Sequence, residues 1–512
     1  MRTVNRESGI GNRKSGIVNR ESGIGNREPL LVTRHPSLVT GPRAITLAVM
    51  LALAASGCAT TGASVEPASV AIQAEGWRNA PEAAKETAWP DPSWWKNFGS
   101  AELVQLIESA EKNNHDLAAA GHRITQAHAN LQVSRSALFP SISLNADAGR
   151  AGSDNRGTSN SVSTGIGASY ELDVWGRNRA GADAATAGLA SSGYARETAR
   201  ITVVADTAAA YLQILSLSDR LVIAQRQLDN AHELMKLLEV QYKAGAITQL
   251  EVERQRNLIA SLEAGVPPIK QAREQAIDAL AVLQGVPPQA LRVNGGSLSA
   301  LTLPALGPGL PSDLLVRRPD IRRAESDLVG GNANLEAARA AMLPRIDLSA
   351  RSVIEAATIG ALTGPGSLIW SLAAGITAPI FDGGRLSGQR DVSEARRNEL
   401  IENYRQSILL GLRDVEDALS ALNNLSVQQE AQERALTHAR EAYRIAELRW
   451  RAGAQDFTTV LDAQRSLISA EASVDPIRAA RFNATVDLFR ALGGDWSGEA
   501  VTTASRGMKD EG

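Results

Sequence analysis

Residues 231–264 read AHELMKLLEVQYKAGAITQLEVERQRNLIASLEA, and a matching stretch follows at residues 439–472 as AREAYRIAELRWRAGAQDFTTVLDAQRSLISAEA. The two stretches align without a gap at an offset of 208 residues, which pairs Gly245 with Gly453. In both copies a small-residue turn containing glycine separates two stretches of helical composition. The repeat therefore predicts two helical hairpins of the same construction.

A second repeat lies upstream of each hairpin. Residues 116–148 recur at residues 320–352 with an offset of 204, and this alignment pairs Pro140 with Pro344. Proline disfavours helix in the residue before it and has no N–H to donate. Both prolines are therefore predicted to end a helix and start a strand, and the whole chain is predicted to be one unit used twice.

Composition narrows the functional class. The chain has 512 residues with 44% hydrophobic content, so it can bury a large core, and its formal net charge of -3 argues against nucleic-acid binding. Aromatic residues make up only 4%, which suits long helices packed side by side better than an enzyme with a deep aromatic pocket. A single cysteine excludes an intrachain disulfide and a multi-cysteine metal site.

That cysteine follows a segment typical of a secretory signal. Arg34 and Arg43 precede an apolar run, Ala44–Ala55, which is too short to span a bilayer and closes on small residues before Cys58. This arrangement resembles a bacterial lipobox, and the resemblance predicts that Cys58 is lipidated. Ala59 follows where an aspartate would direct retention at the inner membrane, so the outer membrane is expected.

Each half of the chain contains two stretches in which apolar and polar residues alternate strictly. Such strands, of roughly ten residues, suit a membrane barrel with lipid outside and water inside, or a soluble sandwich buried on one face. Four strands cannot close a barrel, and an open sheet edge cannot sit in lipid, so membrane strands would have to be pooled by several chains. The apolar positions are Ile142, Leu144, Ala146, Ala148, Val162, Ile166, Ala168, Tyr170, Leu172 and Val174 in the first half, and Ile346, Leu348, Leu368, Trp370, Leu372, Ala374, Ile376 and Ile380 in the second.

The rest of each half is predicted to be helical. Arg177–Lys243 and Arg385–Arg451 contain no proline, and each would span about 100 Å at 1.5 Å per residue. Two shorter helices in each half would together nearly match that length and stack beside the long helix. We predict them at Asn114–Phe139, Thr248–Gln284, Pro319–Leu343 and Phe457–Leu492.

Several strings of residues together resemble one known family. They are LLVRRPDIRRAESDL, the joints ALFPSISL and AMLPRIDL, the joints DVWGR and IFDGGR, the tip RAGAQDFTTVLDAQRSL, and the early stretch SWWKNFGSAELVQLIESAEKNNHDL. The chain thereby resembles outer-membrane efflux channels of the TolC/NodT type, in the lipoprotein branch that serves resistance-nodulation-division pumps. The likeness runs from Cys58 to about Leu492. It implies a homotrimer with a 12-stranded barrel in the outer membrane, four strands per chain, continuous with a periplasmic α-helical barrel.

The resemblance also assigns roles to residues. A periplasmic adaptor and an inner-membrane pump would be the partners, and the hairpin tips would dock the adaptor, at Lys243, Ala244, Gly245, Ala246, Ile247, Arg451, Ala452, Gly453 and Ala454. Asp456 and Asp462 are candidates for gating or selectivity, although Asp456 could equally cap the following helix and Asp462 could make an ordinary helix contact. Trp175 and Trp370 are candidates for an aromatic girdle at the bilayer edges.

The expected organisation has five parts. Residues 1–57 form a low-complexity leader and signal peptide, and the translation start is expected to lie downstream of Met1. Residues 58–112 form the lipidated periplasmic segment, 113–310 the first repeat, 311–492 the second repeat, and 493–512 a flexible tail.

We find no convincing constellation for catalysis or for metal binding. His115 and His122 lie seven residues apart without a ligand at suitable spacing, and the His232-Glu233 pair lacks the second histidine of a metalloprotease helix. No cofactor is expected apart from the lipid. The tryptophans before the first helix are expected to pack in a core or to form a collar, and they are Trp77, Trp89, Trp94 and Trp95.

Other functions stay open at this point. Channels for metal-ion efflux and for type I protein export would have the same tube. A periplasmic coiled-coil adaptor or a structural protein is a different class, and it is disfavoured because neither needs four amphipathic strands.

Overall fold

The computed structural model describes residues 65–72, 74, 76–79, 93–153, 157–304, 309, 311–363 and 367–496. Cys58, Trp89, the expected leader, and the expected tail from residue 497 onward lie outside the described residues. The first residues of the expected tail are packed, since Asp495 accepts from Arg200 at 2.7 Å and Trp496 is buried. The helices are α1 (Pro67–Val70), α2 (Ala101–Asn113), α3 (His115–Ser136), α4 (Arg177–Lys243), α5 (Gln249–Leu283), α6 (Leu314–Arg317), α7 (Pro319–Ala340), α8 (Arg385–Arg451) and α9 (Phe457–Ala491). The strands are β1 (Ser141–Ser153), β2 (Gly157–Leu172), β3 (Arg345–Ala356) and β4 (Ser367–Thr377).

The internal repeat is visible in the order of the elements. Helix, hairpin of two strands, long helix and shorter helix occur twice, so that α3 corresponds to α7, α4 to α8, and α5 to α9. Both long helices have 67 residues and the boundaries that the sequence predicts. The shorter helices end up to three residues earlier than predicted.

The four strands form one antiparallel sheet in the order β1-β2-β3-β4. Directly opposed residues lie on the same face of a sheet. The registers Leu144↔Ile166, Ile166↔Ser352 and Ser352↔Trp370 therefore place even-numbered residues of all four strands on one face.

Two residues of the predicted alternation lie outside the strands. Val174 and Ile380 follow the last residues of β2 and β4, Leu172 and Thr377. The predicted alternation therefore continues beyond the strands of the single chain, because β3 begins at Arg345 and has no residue left to pair with Val174 or Ile380.

Glycines with positive φ mark the return from strand to helix. Gly176 precedes α4 with φ 76°, and Gly384 precedes α8 with φ 87°. Side chains satisfy the free N–H groups of these helix starts: Asp173 accepts from the backbone of Asn178 at 3.0 Å, and Asp382 accepts from that of Leu386 at 2.9 Å.

An aromatic core lies where α2, α4 and α9 meet. Trp94 stacks on Phe489 with ring centroids 4.3 Å apart, and Phe98 lies against both Trp94 and Phe482. Trp95 is buried in the same cluster. Two of the tryptophans predicted to pack in a core therefore do so.

Candidate channel surfaces and docking tips

The two faces of the sheet differ in chemistry. One face has mostly apolar side chains, and Leu144 and Trp370 on it are 75% and 74% exposed. The other face has mainly small and polar residues, among them Ser143, Asn145 and Ser371. An apolar face suits lipid and a polar face suits a water-filled lumen.

Both edges of the sheet are unpaired in a single chain. Among the described residues, β1 pairs only with β2, and β4 pairs only with β3. Unpaired backbone N–H and C=O groups are costly in lipid. Since the strand directions alternate, β4 of one copy would meet β1 of another in antiparallel orientation, and a ring of copies would leave no free edge.

The two girdle candidates lie towards opposite ends of the sheet. Trp370 is the fourth residue of β4, next to the β3–β4 loop. Trp175 follows β2 at the helical end, and its indole N–H donates to the carbonyl of Pro344 at 2.7 Å. Sequence reasoning missed Phe139 and Phe381, which lie at the joints to β1 and β4 and are exposed.

The two hairpin tips share one backbone geometry. After α4, Gly245 N–H donates to Tyr242 O and Ala246 N–H donates to Gln241 O, each at 2.9 Å. After α8, Gly453 and Ala454 make the equivalent bonds to Trp450 and Arg449. These are the two hydrogen bonds of a Schellman motif, with the glycine in the left-handed conformation.

Glycine is favoured at both tips because the backbone there has positive φ, and not because a larger side chain would clash with a neighbouring atom. Gly245 has φ 72° and Gly453 has φ 71°. A Cβ built on either glycine would meet no atom within 4 Å. The space beside both tips is therefore open in the single chain.

The two hairpins pack against each other near their tips. Trp450 and Phe457 are buried with ring centroids 5.5 Å apart, in a cluster that includes Leu238 of the first hairpin. Arg254 of α5 donates to the hydroxyl of Thr458 at 2.9 Å. One chain therefore presents both tips together.

Asp456 caps α9. Its carboxylate accepts from the backbone N–H of Thr459 at 3.0 Å and from the hydroxyl of the same residue at 3.1 Å. The backbone hydrogen bond from Thr459 is the main cause that lowers the pKa of Asp456. Thr248 occupies the equivalent position before α5, in a capping box with Glu251. Asp462 lies exposed on the first turns of α9.

Sequence reasoning also missed a buried arginine. Arg318 donates to Asp320 at 2.6 Å, to Asp414 at 3.2 Å and to the carbonyl of Ala491 at 3.1 Å. Burial alone would lower its pKa, but the two carboxylates raise it. Arg318 thereby joins α7, α8 and the end of α9. Arg318 and Asp320 both lie in the string LLVRRPDIRRAESDL, but Asp414 and Ala491 come from distant parts of the chain.

Polar side chains also join the helices of the long wall. The buried carboxylate of Asp475 accepts from the hydroxyl of Ser216 at 2.6 Å, across α9 and α4. Burial raises the pKa of Asp475. Glu471, one turn earlier, accepts from Gln227 of α4 at 3.1 Å and pairs with Arg440 of α8 at 3.5 Å.

The segment before the aromatic core runs along the second repeat. The side-chain amide of Asn332 donates to the carbonyl of Val65 at 2.9 Å. Glu416 accepts from the backbone of Arg78 at 2.6 Å and from the side chain of Asn79 at 2.7 Å. The segment therefore extends from α7, on the side of the sheet, to the middle of α8.

The described residues contain no candidate metal site, and the one apolar helix window is mostly buried. Within the described ranges no group of three or more His, Cys, Asp and Glu side chains could hold a metal ion. A window of α4 is apolar enough to cross a membrane, but 67% of it is buried against other parts of the chain, as in a core helix.

Comparison with known proteins decides the family. The family model described as outer membrane efflux protein matches residues 106–286 and 310–494, which are the two repeats. The chain belongs to this family. It is 38% identical over 439 residues to the pyoverdine export outer membrane protein OpmQ of Pseudomonas putida, covering 83% of the chain and 93% of the relative. It is 32% identical over 471 residues to the outer membrane protein OprJ of Pseudomonas aeruginosa, covering 90% and 98%.

A solved structure shows the same fold. The chain aligns with the open state of the MtrE outer membrane channel of Neisseria gonorrhoeae with a TM-score of 0.76 and 30% identity, covering 83% of the chain and 96% of the channel. This outer membrane efflux protein therefore extends from the outer membrane into the periplasm and acts as the channel of an efflux system. Its family consists of channel proteins and not enzymes, and needs no cofactor.

Proposed function

We propose that three copies of this chain form one passive channel, in which twelve strands close a barrel in the outer membrane and the helices continue the tube through the periplasm. A periplasmic adaptor and an inner-membrane pump deliver the transported molecule to the helical end. The observation that carries this proposal is the sheet, which has one apolar exposed face and two unpaired edges. Such a sheet is stable in lipid only when other copies pair with its edges.

The adaptor docks at the two glycine tips in this proposal. Lys243–Ile247 and Arg451–Ala454 project from the helical end and have open space around their glycines. The two tips of one chain lie side by side because Arg254 and the cluster around Trp450 join the hairpins. A helical hairpin of the adaptor can therefore approach both tips of one chain at once.

Lipid on Cys58 anchors the chain beside its barrel. Six residues lie between Cys58 and Val65, and the seven steps of the chain from one to the other span at most about 25 Å when fully extended. Val65 is bonded to Asn332, and eight helical residues, about 12 Å, separate Asn332 from the end of α7 below the sheet. The segment is therefore long enough for a lipid on Cys58 to reach the inner leaflet.

Small organic molecules are the proposed cargo. OpmQ, named for pyoverdine export, is the relative with 38% identity over most of the chain. The pump is expected to set the substrate among these molecules.

Purification in detergent and reconstitution test the proposal. The expected results are a particle with the mass of three copies, and steady conductance in a planar lipid bilayer. A strain that lacks its own channel should regain export of an organic toxin when the chain, its adaptor and its pump are expressed together. A single-copy particle that passes no current would overturn the proposal.

A further inference from the structure

The two strand hairpins have the same register. Ser141 pairs with Ser169 in the first hairpin, and Arg345 pairs with Thr377 in the second. These pairs are equivalent under the internal repeat, since Arg345 follows Ser141 at the offset of 204 and Thr377 follows Ser169 at the offset of 208. Each residue pair of the second strand hairpin therefore corresponds to an equivalent pair in the first.

The pairing of β2 with β3, which joins the two strand hairpins within one chain, predicts how the edge strands of two copies would pair. Within the chain, β2 joins β3 with Leu172 opposite Ile346 and Ala168 opposite Ala350. Under the repeat, β2 corresponds to β4 and β3 corresponds to β1. The unpaired edges, β4 and β1, are thus the second instance of a junction that the chain already shows once.

We infer that β4 of one copy pairs with β1 of the next in the register of the β2–β3 junction, with Ile376 opposite Ala146 and Ile380 opposite Ile142 of the neighbouring copy. The inference rests on the proposed function, because it requires that copies share a sheet. Beyond the proposed trimer, it specifies which residues of β4 and of the neighbouring β1 lie opposite each other; this β4–β1 pairing is called the seam below.

The apolar faces agree with this register. Ile376, Ala374 and Leu372 lie on the apolar face of β4, and Ile142, Leu144 and Ala146 lie on the apolar face of β1. Pairing Ile376 with Ala146 keeps both sets on one side of the shared sheet. A shift by one residue would turn one set toward the lumen, so only shifts by two residues compete.

The seam also accounts for the exposed residues that follow β4. Ile380 is 98% exposed in the single chain, whereas its equivalent in the first repeat, Leu172, pairs with β3. In the inferred seam β4 extends to Ile380 against the neighbouring β1. Pro379 has no N–H, and it can occupy this extension with its nitrogen on the β3 side, where β3 has already ended.

The helices below the sheet indicate the same seam. The long helices α4 and α8 correspond in the repeat and have equal lengths, but α4 buries 23 residues and α8 buries 8. α4 packs on α7 of the second repeat, and the equivalent neighbour of α8 would be α3 of another copy. Ile201 of α4 is 7% exposed, while its equivalent Leu409 of α8 is 46% exposed.

Disulfide cross-linking in outer membranes tests the register. The full chain would carry Ile376→Cys together with Ala146→Cys, and a second variant would carry Ala374→Cys together with Ala148→Cys. Both pairs lie opposite in the inferred register, where Cα spacing suits a disulfide. Membranes are oxidised with copper phenanthroline, and the chains are separated on a denaturing gel without reductant.

Three controls match these variants. The pair Ala168→Cys and Ala350→Cys is the equivalent junction within one chain, so it should lose its thiols without any gain in mass. The pairs Ile376→Cys with Leu144→Cys, and Ile376→Cys with Ala148→Cys, shift the register by two residues in either direction. The unsubstituted chain reports any cross-linking through Cys58.

The expected result is conversion of most of the chain to covalent dimers and trimers in both in-register variants, with several-fold less in the shifted pairs. Greater cross-linking in either shifted pair would overturn the register. If no pair links chains although the control within one chain oxidises, the inference fails. A particle mass of three copies then leaves the proposed channel standing, whereas a single-copy mass removes both.

Discussion

Asp456 combines a structural and an electrostatic property in one side chain. Its carboxylate caps α9 through the backbone of Thr459, and it is exposed beside the second tip. The two hypotheses from the sequence, a cap and a charged ring, are therefore compatible. The geometry supports the cap directly, whereas the ring depends on the other copies.

Asparagine at position 456 separates the two properties. Asp456→Asn keeps an oxygen that can accept from Thr459, since asparagine is as good a cap as aspartate, but it removes the charge. We expect lower cation preference in planar bilayers with unchanged thermal stability. Asp456→Ala should also lower stability. Unchanged selectivity in both variants would remove Asp456 from the gate.

The capping contribution of Asp456 depends on pH. The pKa of this carboxyl is lower in the folded chain, so its stabilising effect is present above the pKa of the unfolded state and is lost as the pH falls through the folded pKa. Asp456→Asn should therefore show less loss of stability in acid than the unsubstituted chain.

Asp475 shows the opposite behaviour. Burial raises its pKa, so the charged form is disfavoured in the fold, and the side chain has one strong hydrogen bond, from Ser216. The contribution of Asp475 to the stability of the fold is therefore fully present below the pKa that this carboxyl has in the unfolded chain. It is lost as the pH rises through the higher pKa that the carboxyl has in the folded chain.

We expect Asp475→Asn to stabilise the helical region at neutral pH by on the order of 1 kcal/mol, because a neutral amide can still bond Ser216 without a buried charge. The gain should shrink as the pH falls, because Asp475 is then neutral too. Asp475→Ala is the matched variant, and it should lower stability by leaving Ser216 without this partner. Thermal unfolding in detergent between acid and neutral pH measures both effects, and a pH-independent difference would contradict the assignment.

At the scale of elements, the tip glycines differ in backbone conformation from glycines inside helices. Gly453 has positive φ, and a β-branched residue there would be strained by roughly 1–2 kcal/mol. Gly265, in α5, also has open space around its Cβ position but an ordinary helical backbone. The two positions therefore separate a change in tip shape from a change in surface alone.

We expect Gly453→Val to abolish resistance that depends on the pump while leaving trimer assembly intact. Gly265→Val should retain resistance. Growth on a pump substrate and the particle mass in detergent report the two properties. Unchanged resistance in Gly453→Val would count against docking at this tip.

The faces of the sheet give a second test at this scale. Leu144 lies on the apolar face of β1, and the next residue, Asn145, lies on the polar face. Arginine on a lipid-facing position of a membrane strand costs about 2–4 kcal/mol near the midplane. Leu144→Arg should therefore reduce the amount of folded protein in outer membranes, and Asn145→Arg should leave it near normal. Equal yields of the two variants would reverse or remove the assignment of faces.

The elements could be predicted from the sequence to different degrees. Both 67-residue helices were predicted to the residue, because glycines mark their ends and no proline interrupts them. The strand ends were less certain, because β4 stops where its partner within the chain stops and not where its own alternation stops. The ion pair between Arg318 and Asp414 could not be predicted, since the two residues are 96 positions apart in the chain.

At the scale of the whole molecule, the proposed trimer would contain six copies of one half-chain unit. Each half-chain uses the same hairpins and the same long helix, but only α4 has a neighbour on both sides in one chain. The uneven burial of α4 and α8 is therefore what the proposed ring of copies predicts. The interface below the membrane should be as important for assembly as the strand seam.

Leu409 and Leu410 test this interface with the same substitution at neighbouring positions. Leu409 corresponds to Ile201, which is buried within the chain, whereas Leu410 corresponds to Thr202, which is exposed. A charge at a covered apolar position is left unpaired and desolvated. We expect Leu409→Asp to shift the particle in detergent from three copies toward one and to lower conductance, while Leu410→Asp stays trimeric. Light scattering and bilayer recording measure the two outcomes, and equal assembly of both variants would show that neighbouring copies do not cover α8 as the repeat requires.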